Sequence, residues 1–344
     1  MRTADFDYEL PSSAIAQEPA AERDASRLMV LPRAGGPLRH HAFRDLPDLL
    51  APGDLVVVNR SRVIPARLLG RRAKGGEAEV LLLRDKGEGR WEAMVRPGRH
   101  LRPGQRVSVD EDLSVVVESE ALAADGRRQV RLLSKHRDVA LGLERCGHMP
   151  LPPYIRRPDR PEDRERYQTV YAREAGSIAA PTAGLHFTPG VLARLRERGI
   201  GVAEVVLHVG PGTFRPVTAE HVSDHVVEPE PFSVPRETAV AVSAARSRGG
   251  RVVAVGTTTV RTLEAVARAD RGIDARDGEA GLVIVPGFTF RVVDALVTNF
   301  HLPRSSLLLL VAAFGGRERV LQAYAEALRA GYRFYSYGDA MLIA

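Results

Sequence analysis

The sequence predicts an α/β fold: a discontinuous, Rossmann-like domain with a largely parallel sheet, formed by both ends of the chain, and a small β-barrel inserted into it. Three observations carry this expectation. Apolar, β-branched runs such as Leu55 to Val58 and Arg251 to Val255 alternate with amphipathic helical segments. From Val63 to about Val130 the texture changes to short β-rich runs broken by Gly, Asp and Arg turns at close spacing. Strand-and-helix signals return beyond that stretch. The expected division is residues 1–62 and 151–344 for the α/β domain and 63–150 for the barrel.

Taken in order, FDYELPSSAIAQEP reads as a wrapping lead-in to a strand at Leu28 to Leu31, and Asp45 to Leu50 as a short helix. Leu55 to Val58 reads as a fully buried strand ending at Asn59. The barrel runs are followed by a helix within Ser134 to Cys146, then by the Pro-rich HMPLPPYI crossing segment. Ile178 to Phe214 holds two polar, Gly-rich turns, PTAGLHF and HVGPGTF, around one helix and one strand. Thr188-Pro189 gives that helix an N-cap and a first-turn proline, and Gly199 stops it. Ile200 to Val209 is then a buried strand. Further on, PRETAVAVSAARSRG predicts an amphipathic helix, and Arg251 to Val255 a strand leading through Gly256-Thr257-Thr258-Thr259 into a helix. Gly281 to Val285 and Val293 to Thr298 read as strands, Ser305 to Phe314 and Glu318 to Ala330 as helices.

Composition sets outer limits. A chain of 344 residues with 44% hydrophobic and 27% charged residues matches about two globular domains at ~150 residues each. No apolar run approaches the ~20 residues of a membrane span and no secretory leader is evident, so a cytoplasmic, monomeric protein without membrane contact is expected. Its single cysteine, Cys146, excludes an intramolecular disulfide and a multi-cysteine metal site. A net charge of +6 and a pI near 9.7 are compatible with an anionic partner. The densest positive cluster, Arg60, Arg62, Arg67, Arg71 and Arg72 at the start of the barrel, is the candidate surface for such a partner; its alternative is a set of solvated strand faces.

Four apolar runs end in polar turns: Asn59, His208-Val209-Gly210, Gly256-Thr257-Thr258 and Thr298-Asn299-Phe300-His301. In a parallel sheet these ends converge on one edge and build one pocket. The Gly256 turn is neither a Walker nor a dinucleotide fingerprint. It still offers hydroxyls and helix-terminal N–H groups. His186, His208, His225 and His301 all lie beside turns, but no pair has the spacing that presents two metal ligands from one element, so isolated acid–base or hydrogen-bonding imidazoles are expected and no metal. Asp224 beside His225 is a candidate carboxylate–imidazole pair. Glu228 and Glu230 could share a face and meet a cationic substrate; a solvated loop is the slightly favoured alternative.

Together, IAQEP with RDASRLMVL, PGDLVVVN with SRVIPARLLGR, GHMPLPPYIRR, APTAGLHF, LHVGPGTFRPV, AVGTTTVRTLE, VTNFHLPRS and YGDAM strongly resemble the S-adenosylmethionine:tRNA ribosyltransferase-isomerase family of queuosine biosynthesis, in order from Phe6 to Met341. The resemblance implies an enzyme that isomerises the ribosyl part of S-adenosylmethionine and transfers it to 7-aminomethyl-7-deazaguanine at the tRNA wobble position. Epoxyqueuosine forms, and adenine and methionine leave. S-adenosylmethionine is then a co-substrate and no further cofactor is needed. On this footing His186, His208, Asp224 and His225 are the expected proton-transfer groups. Asn59, Thr182, Gly184, Gly210, Gly212, Thr213, Glu230, Gly256, Thr257, Thr258, Arg261, Thr298, Asn299, His301 and Asp339 are the expected substrate contacts. Two positions depart from the family pattern: Glu228 stands where a second His is common, and Arg60 where Asn or Asp is common.

Overall fold

In the computed structural model, which describes residues 1–122, 126–135, 138–210, 212 and 216–344, a nine-stranded sheet and a closed six-stranded barrel account for the two textures of the sequence. The sheet has four parallel strands at its centre, in the order Gly201–Leu207, Leu55–Asn59, Val252–Val255 and Ala295–Asn299. Antiparallel neighbours extend it on both sides. Glu230–Ser233 and Asp277–Ala280 form one edge; Ala340–Ile343, Arg27–Leu31 and Arg39–Ala42 form the other, the first two of these parallel to each other.

The central runs are apolar throughout because both of their faces are covered. Leu55 and Val57 point into one core with Val242, Leu263, Leu308 and Val320, from the helices Arg236–Ser247, Thr257–Ala265, Ser306–Gly315 and Arg317–Arg329. Val56 and Val58 point into the other, with Phe43, Leu46, Phe187, Val191 and Leu195. The two-residue period of a strand thus divides one sequence run between two cores. Thr188 caps the helix Pro189–Glu197 as its sequence suggests, accepting the Val191 N–H at 3.2 Å.

The barrel closes in the order Arg128–Ser134, Arg90–Arg96, Glu77–Gly87, Arg67–Arg72, Arg106–Ser108 and Leu113–Val117, every pair antiparallel. Leu68, Val80, Leu82, Ala93, Val107, Val115 and Val130 fill its interior, and Leu143 of the helix Val139–Cys146 packs against that core.

One expected strand is displaced. The edge strand is Asp277–Ala280, whereas 281–285 forms no strand. Ala280 is the last residue paired to Glu230–Ser233, and a side chain takes the backbone again only at 291–293. The buried Glu264 carboxylate accepts the N–H groups of Arg291, Val292 and Val293 at 2.9, 3.0 and 2.9 Å. An apolar, β-branched run supplies strand propensity, but without a neighbouring strand there is no ladder to join.

Candidate active site

The C-terminal ends of the four parallel strands do open on one edge, as the polar turns implied. Two adjoining chambers lie there. The outer one, about 1090 Å³, separates the edge from the barrel. His208, Gly210, Gly212, Asp224, His225, Glu230 and Arg261 line it from the α/β side, and Arg84, Trp91 and Arg127 from the barrel. The inner one, about 40 Å³, is lined by Thr182, Gly256, Thr257, Thr258, Thr298, Asn299 and His301, with Tyr154, Tyr335 and Ser336. Val209 and Leu307 belong to both walls, so the chambers share a partition.

The turn carrying His208 is fastened from three directions. The His208 N–H donates to Pro231 O at 2.9 Å, the Val209 N–H to Ser177 Oγ at 3.0 Å, and the Gly210 N–H to Glu230 Oε1 at 2.7 Å. The imidazole itself is held by packing, since its Nδ1 is buried without a hydrogen-bond partner. Burial lowers the pKa of His208 below the ordinary imidazole value, while the Glu174 charge partly opposes this. A ring neutral at physiological pH, on a fixed turn facing a cleft, is suited to accept a proton.

Gly176 makes this placement possible. It lies at a bulge in the Glu174–Ser177 strand with φ +142°, and a Cβ there would fall 2.8 Å from His208 Cε1 and 2.9 Å from Nδ1. Gly176→Ala is therefore expected to displace the ring and lower kcat about 100-fold, the scale of a 1 Å misplacement of a reacting group. Steady-state kinetics beside a thermal melt checks this: a large loss of kcat in a protein that still melts cooperatively is the expected result.

Glu230 is not in a solvated loop. It opens the edge strand, is 6% exposed, and its Oε2 accepts from Arg261 Nη1 while its Oε1 accepts from Gly210. Arg261 Nη2 also donates to Ala280 O at 2.7 Å. The ion pair thus ties the Thr257–Ala265 helix to both edge strands and to the His208 turn. Arg261→Ala would leave a buried carboxylate without its guanidinium, and chemical denaturation should show a loss of about 3 kcal/mol.

His225 lines the outer chamber with its Nε2 buried and unpartnered; burial, then the nearby Arg261 charge, lowers its pKa. Asp224 lines the same chamber, yet the described bond to its carboxylate comes from Ser223 Oγ at 3.0 Å. Glu228, the position that departs from the family pattern, takes Arg127 of the barrel in a two-point contact.

Several expected contacts are buried and engaged within the protein. His186 is 4% exposed and stacks on Phe43 at 5.0 Å. Its Nε2 accepts from Asn299 Nδ2 at 3.1 Å, which puts the proton on Nδ1, 2.7 Å from Ser26 Oγ. Burial lowers its pKa to about 4. Asn299 also accepts from Thr182 Oγ1 at 3.0 Å, so His186 orients the amide that lines the inner chamber. His301 pairs with Thr298 Oγ1 at 2.8 Å, and burial lowers its pKa to about 3. Asn59 bridges strand ends, donating to Leu207 O at 2.9 Å and accepting from the Leu207 and Ser61 N–H groups. Asp339 accepts from the Arg27 and Arg333 N–H groups at 3.0 and 2.8 Å and anchors the C-terminal strand. Gly184 packs beneath Tyr171 and Thr169. Thr213 falls outside the described residues.

The arginine cluster divides. Arg60 pairs with Glu204 and Glu174, and Arg67 with Glu79. Among the described residues, Arg62, Arg71 and Arg72 show no carboxylate partner. Unforeseen lining groups are Gly176, Arg84, Trp91, Arg127, Tyr154 and Tyr335. Tyr335 holds φ +76°, an uncommon conformation for a bulky residue, and its carbonyl accepts from Asn299 at 3.3 Å. Its place in YSYGDAM carried no periodic signal. Among the described residues no three His, Cys, Asp or Glu side chains gather as a metal site, and no helix is long and apolar enough to cross a membrane.

The profile of a family described as "Queuosine biosynthesis protein" matches residues 3–343. A protein from Moorella thermoacetica named S-adenosylmethionine:tRNA ribosyltransferase-isomerase is 54% identical over 344 residues, covering 100% of both chains. A Thermus thermophilus protein of the same name is 54% identical over 98% of each. A crystal structure of S-adenosylmethionine tRNA ribosyltransferase from Thermotoga maritima superposes with a TM-score of 0.57 and 43% identity, covering 99% of this chain and 100% of that one. With its sheet edge, its barrel and its full-length relatives in agreement, this chain belongs to the queuosine biosynthesis protein family.

Proposed function

We propose that the protein is a transferase-isomerase that moves the ribosyl part of S-adenosylmethionine onto 7-aminomethyl-7-deazaguanine at the wobble position of tRNA, giving epoxyqueuosine and releasing adenine and methionine. The observation that carries this reading is the pair of unequal, adjoining chambers between a polar strand edge and the barrel. The outer chamber is of the size that takes a nucleoside and the base that reacts with it. The inner one suits only a small polar end of the co-substrate, which would meet the hydroxyls of Thr182, Thr257, Thr258 and Thr298.

The chemistry asks for groups of the kinds present. A sulfonium acidifies the neighbouring ribose methylene, and neutral His208 is the proposed base for that proton. His225 and Asp224, which line the same chamber, are the proposed groups for proton delivery as adenine departs and for keeping the attacking amine neutral. His186 contributes by orienting Asn299. A wobble base reaches such a site only by leaving its stack, so the barrel face must hold the RNA backbone. Arg62, Arg71 and Arg72 remain proposed phosphate contacts, with Arg60 and Arg67 available by exchange with their carboxylates. A monomer acting in the cytoplasm completes the reading.

Incubation of the protein with S-adenosylmethionine and tRNA bearing the aminomethyl deazaguanine tests it. Adenine should appear in proportion to epoxyqueuosine in the digested tRNA. Folded protein that releases no adenine would overturn the proposal and favour an RNA-binding role for the barrel.

A further inference from the structure

Two ion pairs link the barrel wall of the outer chamber to the edge of the sheet. Arg127, just before the Arg128–Ser134 strand, holds Glu228 with both terminal nitrogens, Nη1 to Oε2 at 3.0 Å and Nη2 to Oε1 at 2.6 Å. It also holds Glu92 of the barrel at 2.9 Å. Arg84, on the Glu77–Gly87 strand, pairs with Glu279. The register explains the alignment. Arg84 lies opposite Glu92, and Glu92 opposite Gln129, two residues beyond Arg127, so both arginines neighbour Glu92 on adjoining strands. Glu279 lies opposite Pro231 on the edge strands, close in sequence to Glu228.

We propose that Arg84 and Arg127 are backbone-phosphate contacts for the RNA strand that enters the outer chamber, and that Glu279 and Glu228 are carboxylate placeholders occupying them in the free protein. The inference rests on the reading of the protein as a tRNA-modifying enzyme and adds the residues that grip the strand at the chamber wall.

The fork of a guanidinium matches two phosphate oxygens as it matches two carboxylate oxygens, so one exchanges for the other without rearrangement of the arginine. Exposure separates exchangeable pairs from structural ones. Arg84 and Glu279 are 47% and 48% exposed, so solvent screens that pair and its loss costs little; Glu228 is 42% exposed, against a more sheltered Arg127 at 17% that keeps Glu92 when Glu228 leaves. The Glu230–Arg261 pair deeper in the same chamber is 7% and 10% exposed and is tied to two backbone groups, which suits it to hold the fold. Trp91, opposite Asp85 on one side and Val130 on the other, is 8% exposed and belongs to the barrel core where that core reaches the chamber wall. Exchange would also undo two links between barrel and sheet.

A double-mutant cycle on Glu228 and Arg127 tests this, with an unmodified tRNA transcript as probe. Binding can be followed by filter retention and by emission of Trp91, the chain's single tryptophan. Glu228→Gln should tighten binding about threefold, the scale of losing an exposed competing pair. In the Arg127→Ala background the same change should have no effect. Arg127→Ala alone should weaken binding and lower the salt slope by about one. An equal gain in both backgrounds would reduce the effect to overall charge, and weaker binding by Glu228→Gln would make the pair a structural clasp; either overturns the proposal. The parallel cycle of Glu279→Gln with Arg84→Ala decides the matter should an Arg127 variant not fold. If the wild-type protein fails to bind tRNA at any salt, the tRNA reading itself falls, an outcome separate from a flat cycle.

Discussion

His208→Ala is expected to lower turnover about 1000-fold, within the range lost when a positioned general base is removed, while leaving tRNA affinity and melting temperature near wild type. The three backbone bonds that fasten the turn come from His208 N–H and its neighbours, and none uses the imidazole. The ring's Nδ1 has no protein partner to lose. Truncation therefore removes chemistry without removing a hydrogen bond of the fold. Single-turnover adenine release separates the two effects: the chemical step should slow while the binding isotherm is unchanged. The acid limb of the wild-type pH–rate profile should lie below the ordinary imidazole value of 6.5, because burial favours the neutral ring. Wild-type turnover by the Ala variant would remove His208 from the mechanism and shift attention to His225.

Acid should unfold the protein by a route that runs through two other histidines. The folded pKa values of His186 and His301, about 4 and about 3, lie below the model-peptide value of 6.5 through burial. Between pH 6.5 and about 4 the unfolded chain binds two protons that the folded chain refuses, so stability falls as pH drops; above pH 6.5 the effect vanishes. Integrated over that window, the two sites amount to roughly 6 kcal/mol at pH 4. Urea denaturation at pH 8 and at pH 4.5 should show most of this loss. His186→Asn and His301→Gln should each flatten the pH dependence by about half, even if they lower stability at pH 8. A pH dependence unchanged in both variants would assign acid sensitivity elsewhere.

The large-scale organisation was legible because it rests on local patterns. LVVVN, VVAV and ALVTN are apolar on both parities, which only a strand covered on two faces requires, and each ends in a polar turn. The alternating runs of the barrel carried their own period. Thr188 announced its helix through a cap and a proline. The roles of the polar turns were less legible. His186 and His208 each sit in a Gly-rich turn of similar composition, but one ring is stacked on Phe43 with both nitrogens engaged, and the other faces an open cleft. That difference depends on residues up to 160 positions away in sequence. Glu230 was equally opaque: its partner Arg261 is 31 residues distant, on a helix that only sheet packing brings near.

By itself the sequence determined the α/β domain with its inserted barrel, the convergence of four strand ends and the family, since periodicity, capping and motif order are all written along the chain. Tertiary structure alone decided which of the polar residues face a cavity and which brace it. It also brought Gly176, Arg84 and Arg127 to the site, because none of them carries a signal until the barrel docks on the sheet edge. The physical reason is that burial and charge pairing are properties of neighbours in space, and those neighbours come from both sides of the inserted barrel.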